Sequence, residues 1–201
     1  MEIKKIVQGP MMANCYIISD DKGHGFMIDP VYPKGEIERY IEDKSINLDF
    51  ILLTHTHFDH VMGLSYFKDK YKLKVYASED SKNIYDDPYY NLSKGVCDLD
   101  IKIDVFLKDG EEFSDFKIKA IKTPGHSLDS MSYLIEDNIF CGDTIFKQSI
   151  GRTDFPGGNF NTLIGSIINK LFIHDNDTKL YPGHGESSTI KFEKSNNPFL
   201  I

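Results

Sequence analysis

The sequence predicts an α+β fold in which two β-sheets pack face to face and helices cover both outer sides, an αβ/βα sandwich of four layers. Two observations predict this architecture. Apolar runs with the length and alternation of strands are separated by segments with helical spacing. The order of strands and helices is also similar in the two halves of the chain. Another mixed architecture of packed sheets and helices accounts for the same pattern equally well.

The first half of the chain begins with strands predicted at residues 1–8, 14–18 and 25–28, and such consecutive short strands are typical of antiparallel sheet. Ile37, Tyr40 and Ile41 then recur at helical spacing, which predicts an amphipathic helix over 34–44. The remaining predicted elements of this half are a strand at 49–54, a helix that buries Leu64, Phe67 and Tyr71, a strand at 74–77, and a helix from Ser78 to Tyr85.

The second half opens with residues 86–100, which show no convincing period and are predicted to form a loop. Long loops in compact domains are often functional. Alternation returns over 101–123, where strands are separated by turns. The later elements are predicted as strands at 131–135 and 139–141, a helix over about 160–172 with Leu163, Ile167 and Leu171 on one face, and a last strand at 179–181.

Length and composition indicate a single domain over 1–201 with an ordinary globular core, since 40% of the residues are hydrophobic and 27% are charged. The net charge of -8 argues against nucleic acid or an anionic membrane as the main partner, because phosphate binding relies on clustered Lys and Arg.

No run has the roughly 18–20 apolar residues of a membrane helix or the apolar core of a signal peptide. The three widely spaced cysteines fit reduced thiols. We therefore expect a cytoplasmic protein.

The most informative stretch is Thr54–His60, which follows an apolar strand and contains three histidines and one aspartate. In extended backbone, residues two apart point to the same side, so His55 and His57 converge. Asp59 and His60 lie near the start of the next predicted helix and face a second position. Neutral imidazole and carboxylate are the usual ligands of zinc and similar ions, so the stretch suggests two adjacent metal ions. As the alternative, Asp59 is only a helix N-cap.

Three further candidate ligands, His126, Asp143 and His184, each follow a glycine where a predicted strand ends. Glycine lets backbone pass close to a metal, and loops at a sheet edge are where a scaffold presents its chemistry. The other two histidines, His24 and His174, lack such a context. We predict that they are ordinary surface residues.

The series His55-x-His57-x-Asp59-His60, followed by His126, Asp143 and His184, resembles the signature of the metallo-β-lactamase superfamily over nearly the whole chain. The resemblance implies the four-layer metallo-β-lactamase sandwich and two divalent metal ions. It implies that one ion is bound by His55, His57 and His126, the other by Asp59, His60 and His184, with Asp143 bridging them. It also implies that Asp29 steadies the ligand loop, a role that orients metal ligands.

The chemistry implied by two such ions is hydrolysis. A shared water is deprotonated near neutral pH, and the bridging hydroxide attacks a substrate carbonyl that one metal polarises. Asp59 then accepts a proton or aims the hydroxide. Zinc is the expected metal, and iron or manganese are alternatives, because affinity alone does not select among divalent ions in the cell.

The substrate expectation comes from Gly151–Gly158 and the tail from Ser188 to Leu200, which resemble small glyoxalase II-like, hydroxyacylglutathione hydrolase proteins. The resemblance implies hydrolysis of thioesters such as S-2-hydroxyacylglutathione. The chain departs here from full-length glyoxalase II, which carries a C-terminal helical domain that contacts glutathione, and we expect no such domain because the sequence ends at Ile201. Arg152 and Lys147 are candidates to bind a substrate carboxylate. For Arg152 the alternative is a structural ion pair with Asp154.

The main competing hypothesis is an iron-dependent persulfide dioxygenase, a family that shares a Gly-Arg-Thr-Asp-Phe segment and uses one iron. Its three equivalent ligands here are His55, His126 and Asp143. A lactonase and a non-catalytic metal-binding module are weaker alternatives. The expected partner is a small molecule, and the sequence does not specify the oligomeric state.

Overall fold

The computed structural model describes residues 1–201, and its first sheet contains six strands in the order β1-β2-β3-β4-β5-β6. The strands β1 to β3 pair in antiparallel fashion, whereas β3 to β6 pair in parallel. Parallel neighbours require crossover segments, and helices occupy those between β3, β4 and β5. The bounds are β1 Glu2–Gln8, β2 Ala13–Ser19, β3 His24–Ile28, β4 Asn47–Leu52, β5 Lys74–Ser78 and β6 Val105–Leu107.

The second sheet also has six strands, in the order β14-β13-β10-β9-β8-β7. Only β10 and β13 pair in parallel. A separate two-stranded hairpin, β11 with β12, follows β10. The bounds are β7 Glu112–Phe113, β8 Ile118–Lys122, β9 Met131–Ile135, β10 Asn138–Gly142, β11 Ile145–Phe146, β12 Ser149–Ile150, β13 Lys179–Pro182 and β14 Ser188–Thr189.

Five α-helices accompany the sheets: α1 Glu36–Asp43, α2 Phe58–Val61, α3 Leu64–Tyr71, α4 Phe160–Ser166 and α5 Ile190–Asn196. The later helices begin at side-chain caps, because Asn159 accepts a hydrogen bond from Thr162 N and Thr189 accepts one from Phe192 N. A π-helical turn over Ile167–Leu171 extends α4. No helix combines the length and apolar character needed to cross a lipid bilayer.

Three apolar clusters separate four layers. Alternate residues of β2 point to opposite faces: Cys15 and Ile17 pack with α1 and α3, whereas Tyr16 and Ile18 face the second sheet. In the second sheet, β10 likewise directs Phe140 to the other sheet and neighbouring residues to α4 and α5. The layer order is therefore helix, sheet, sheet, helix. The predicted αβ/βα sandwich is confirmed.

Several element predictions differ from the structure in type or extent. The helix predicted from Ser78 to Tyr85 is a 3₁₀ turn over Glu79–Asn83, which Ser78 caps by accepting a hydrogen bond from Asp80 N. The strand predicted at 49–54 ends at Leu52 because the chain there turns towards the candidate metal site. The hairpin β11–β12, the strand β14 and the helix α5 were not predicted. Two-residue strands are too short to show alternation, and a seven-residue helix shows fewer than two turns of a pattern.

Candidate metal centre

The candidate ligands lie on loops that leave strand ends at one edge of the two sheets. The Thr54–His60 stretch follows β4, while His126, Asp143 and His184 follow β8, β10 and β13. These last three strands run in the same direction, because β10 pairs with β13 in parallel and is related to β8 through two antiparallel pairings. Strands of one direction deliver their following residues to one edge. Side chains distant in sequence therefore meet there.

Three overlapping groups of donor atoms form at this edge, and the third, His55, His60 and Asp143, shares members with each of the other two. In the first, which we call the three-histidine group, ring nitrogens of His55, His57 and His126 all lie within 4.8 Å of one another. Within it, His57 Nδ1 and His126 Nε2 are 3.0 Å apart. In the second, the Asp-His-His group, donor atoms of Asp59, His60 and His184 satisfy the same limit.

Asp143 lies between the two groups. Its Oδ2 atom is 3.6 Å from His126 Nε2 in the three-histidine group and 3.6 Å from His184 Nε2 in the Asp-His-His group. Its Oδ1 atom is 3.4 Å from His60 Nε2, yet makes no hydrogen bond. A carboxylate placed between two donor groups is positioned to contact an ion in each.

Asp59 is the second residue of the four-residue helix α2 rather than its N-cap. His57 occupies the N-cap position, and no side chain accepts a hydrogen bond there. The Asp59 carboxylate instead faces the site, where Oδ2 lies 3.2 Å from His184 Nε2. The N-cap alternative is therefore wrong for Asp59. Neither His24 nor His174 belongs to a donor group.

Unpartnered buried atoms show that the site suits a metal. His55 Nε2, His57 Nε2, His60 Nε2 and Asp143 Oδ1 are buried without a hydrogen-bond partner. Burying such atoms unpaired is costly, and native proteins do so rarely. Such atoms on members of both donor groups are explained by cations that these groups coordinate. The donor set, imidazole with carboxylate, is typical of zinc and iron and does not distinguish between them.

Hydrogen bonds from the opposite ring nitrogens aim the imidazoles inward. His60 Nδ1 lies 2.8 Å from Asp29 Oδ2, and His126 Nδ1 lies 2.8 Å from the Arg152 carbonyl oxygen. Because these partners only accept, each Nδ1 carries a proton, and each Nε2 is turned towards the site.

Asp29 is the buried carboxylate at the end of β3, and it organises the start of the ligand stretch. It accepts hydrogen bonds from Thr54 N at 2.8 Å and from Thr54 Oγ1 at 2.6 Å, in addition to the one from His60. The Thr54 hydroxyl in turn lies 3.1 Å from His55 Nδ1. Asp29 therefore contacts His60 directly and reaches His55 through Thr54.

Two rings of the three-histidine group, His55 and His57, are held in the unprotonated form, which favours metal binding. Burial lowers the pKa of His57 to about 3, and burial also holds the pKa of His55 well below its usual value. These rings are neutral at pH 7, the form that ligates metals. At Asp143, burial raises the carboxyl pKa, but the His60, His126 and His184 imidazoles outweigh it and leave the pKa below its usual range. That side chain is therefore a carboxylate.

A family model described as the metallo-beta-lactamase superfamily matches residues 8–184, which contain every candidate ligand. The chain belongs to the metallo-beta-lactamase superfamily. A Bacillus subtilis protein named "Probable metallo-hydrolase YqgX" is 36% identical over 208 residues, covering 100% of this chain and 98% of the relative. A Haemophilus influenzae protein named hydroxyacylglutathione hydrolase GloC is 34% identical over 211 residues, with the same coverage. The resemblance drawn from the motif is confirmed.

Solved structures of the superfamily agree with this fold. The crystal structure of BLEG-1, a B3 metallo-beta-lactamase, has a TM-score of 0.93 and 32% identity, and both chains are covered completely. TTHA1623 in a di-iron-bound form has a TM-score of 0.88 and 27% identity, covering 98% of this chain and 100% of that one. Family and donor geometry together identify a metallo-hydrolase whose His and Asp residues are positioned for two metals.

An open cavity of about 240 Å³ leads to the metallo-beta-lactamase donor groups. Its walls are largely apolar: Phe155 packs edge-on against His57, and Phe146 does so against His184. No sequence pattern marks these walls, because isolated aromatic residues in loops carry no periodic signal. The remaining lining residues are Met11, Phe58, Asp59, Leu92, His126, Asp143 and Arg152.

The two positively charged side chains that are predicted to bind substrate, Arg152 and Lys147, differ in position. Arg152 lines the cavity, stacks on the Phe155 ring with its guanidinium carbon 4.2 Å from the centroid, and makes two hydrogen bonds to Asp154 of 2.9 and 2.7 Å. The ion pair considered as its alternative role is therefore present. Lys147 pairs with Glu186 at 2.6 Å and does not line the cavity.

Gly183→Ala is expected to weaken metal binding about tenfold to a hundredfold, the usual range for disturbed ligand orientation. A Cβ at Gly183 would lie 2.2 Å from Asp143 Oδ1 and 2.6 Å from His60 Cε1, so the donors must move. Chelator competition measures the affinity. Gly165→Ala is the control, because the nearest atom to its added Cβ is 3.8 Å away. Unchanged metal affinity in folded Gly183→Ala would contradict this account.

Proposed function

We propose that this metallo-hydrolase cleaves thioesters, specifically 2-hydroxyacyl thioesters such as S-2-hydroxyacylglutathione. The observation that carries the proposal is the pair of donor groups with Asp143 between them at the end of an apolar cavity. A second donor group favours two ions over one. The name of the Haemophilus influenzae relative, a hydroxyacylglutathione hydrolase 34% identical over its length, supports the substrate class.

We assign the three-histidine group to one ion, the Asp-His-His group to the other, and Asp143 to both. Zinc is the proposed metal, and iron or manganese are the alternatives that the same donors accept. When bound, such a pair supplies hydroxide near neutral pH and polarises the substrate carbonyl. All other roles belong to side chains of the chain itself.

Asp59 is the proposed proton acceptor. Burial raises its pKa, but the His60 imidazole and the hydrogen bond with His184 lower it by more, so the net pKa lies below the usual range. Asp59 is thus a carboxylate at neutral pH, and it lines the cavity. Its free oxygen can accept a proton from the attacking water and orient that water towards the acyl carbon.

The cavity walls position the thioester and limit water. Phe146 and Phe155 flank opposite donor groups, so an acyl-thiol between them lies against apolar surface while its carbonyl faces the donors. Arg152 is the proposed contact for a substrate carboxylate, because its guanidinium is held at the cavity by Phe155 and Asp154. Lys147 stays a predicted contact that would have to leave Glu186 to reach substrate.

Arg152→Ala is expected to raise the KM for an anionic thioester about tenfold with little change in kcat, because a charge-assisted contact contributes to substrate binding. Steady-state kinetics on S-lactoylglutathione measure both constants. Lys170→Ala is the control, since Lys170 also forms an ion pair, with Asp109, and that pair lies outside the cavity. An unchanged KM with a clearly lower Tm would assign Arg152 to the structural ion pair alone.

The substrate class is tested by assaying one metal-loaded preparation against three compounds. Loss of the thioester absorbance of S-lactoylglutathione, with release of one thiol per turnover, supports the proposal. Oxygen consumption on a glutathione persulfide by protein with one iron would establish the dioxygenase instead. Cleavage of lactones but not thioesters would indicate a lactonase. No turnover, together with a Tm that falls on chelation, would indicate a non-catalytic metal module.

A further inference from the structure

A second buried carboxylate, Asp129, lies behind the three-histidine group and outside every donor group. It is only 2% exposed and sits three residues after His126, in the segment between β8 and β9. Its Oδ2 accepts a hydrogen bond from Thr56 Oγ1 at 2.7 Å, and its Oδ1 accepts one from Ser127 Oγ at 2.8 Å. A buried carboxylate needs such partners, so this arrangement is tightly defined.

The two partners of Asp129 are chain neighbours of the three histidines. Thr56 stands between His55 and His57, and Ser127 follows His126. Fixing the Thr56 side chain fixes the backbone from which both flanking imidazoles project. One carboxylate thus joins the two loops that supply all three ring nitrogens of the group.

These loops come from different sheets, since the Thr56 loop follows β4 and the Asp129 loop follows β8. The Asp129 loop is itself closed, because Thr123 N donates to the Ser130 carbonyl at 2.9 Å and Ser127 N donates to Ser130 Oγ at 3.2 Å. Because these hydrogen bonds close the loop, the positions of Asp129 and His126 relative to each other are fixed. The Thr56–Asp129 bond, together with the 2.8 Å hydrogen bond from Met131 N to the Thr54 carbonyl, therefore sets how far His126 lies from the other two histidines.

Asp29 and Asp129 reach different donors. Asp29 bonds His60 directly and contacts His55 through Thr54, so it reaches both donor groups. Asp129 has hydrogen bonds to Thr56 and Ser127 and none to a member of the Asp-His-His group. Removing the Asp129 carboxylate should therefore disturb only one of the two metal sites.

We propose that Asp129 is a positioning residue that sets the spacing of the three-histidine group and thereby its metal affinity. This inference rests on the proposed two-metal function, because it distinguishes one site from the other. Loss of an outer partner of metal ligands typically lowers metal affinity about tenfold to a hundredfold. Asp129→Ala should show a loss of that size at the three-histidine site and none at the Asp-His-His site.

The test is a titration of metal-free protein with Zn²⁺ against a chromophoric chelator, resolved into two binding steps. His126→Ala identifies the step of the three-histidine site, and His184→Ala identifies the other. Asp129→Ala should lower the Zn²⁺ affinity of the three-histidine site, whose binding step His126→Ala removes. Thr56→Val, which removes only the hydroxyl donor, should weaken the same step. The Co²⁺ absorption spectrum of the variants should change for that site alone.

Ser81→Ala is the matched control, because it removes another fully buried hydroxyl, one that donates to the Ser78 carbonyl. It should leave both steps unchanged. If Asp129→Ala does not fold, Thr56→Val decides the question. Wild-type affinity at the three-histidine step in folded Asp129→Ala or Thr56→Val overturns the inference, as does an equal loss at both steps. A wild-type protein that binds fewer than two ions rejects the proposed function instead.

Discussion

Asp59→Ala is expected to lower kcat for thioester hydrolysis about a hundredfold to ten-thousandfold, the range typical of a lost general base. The carboxylate lines the cavity, lies 3.2 Å from His184 Nε2, and has a lowered pKa that keeps it ionised at neutral pH. No other carboxylate lining the cavity is free for this task, because Asp143 lies between the two donor groups. Steady-state kinetics of metal-saturated protein provide the measurement.

Two controls separate this role from folding. Asp59→Asn keeps the shape of the side chain and should be almost as inactive as alanine, because an amide cannot accept the proton. Asp177→Asn alters an exposed aspartate outside the cavity and should retain full activity. The Tm of metal-free Asp59→Ala should stay close to that of metal-free wild type. Near-normal kcat in Asp59→Ala would contradict the assigned role.

Metal removal is expected to cause the largest loss of stability. Free metal at 1,000 times its Kd stabilises a folded protein by about 4 kcal/mol per site. For a chain of this size, 1 kcal/mol changes the Tm by about 2–4 °C, so each site should contribute about 8–16 °C. The physical reason is that members of both donor groups carry buried atoms that lack a hydrogen-bond partner within the protein. Calorimetry of metal-loaded and chelator-treated protein measures the change.

Variants that lack a ligand supply the control for that experiment. His126→Ala and His184→Ala should each retain only part of the stabilisation by metal, because each leaves one donor group incomplete. His24→Ala, which changes an exposed histidine paired with Asp49, should respond to chelation as the wild type does. Equal Tm values with and without metal in the wild type would show that the donor atoms bind no ion.

The donor groups were predictable because the signal was local and repeated. Four candidate ligands fall within six positions after a buried strand, and the others each follow a glycine at a strand end. Strand direction then brings them to one edge. The sandwich was predictable for a related reason, since the alternation in β2 assigns Cys15 and Ile17 to one face and Tyr16 and Ile18 to the other.

The surroundings of the donors were not predictable, because they depend on contacts between distant segments. Asp129 and Thr56 are 73 positions apart, and only the packing of the two sheets brings them together. The partner of Lys147, Glu186, likewise became visible only in three dimensions. The helix α5 is held by a buried Glu193, which accepts hydrogen bonds from Gln148 N and Asn197 Nδ2. A charged residue at a core position of a helix is a misleading sequence signal.

We expect the three-histidine group and the Asp-His-His group, with Asp143 between them, to bind two metal ions. Elemental analysis of purified protein, repeated after chelation and reconstitution, measures this directly. We expect two divalent ions per chain in the wild type, one in His126→Ala and one in His184→Ala, with thioester hydrolysis restored only when both sites are filled. A wild-type chain that saturates with a single iron and is then fully active would contradict the assignment of two metal ions.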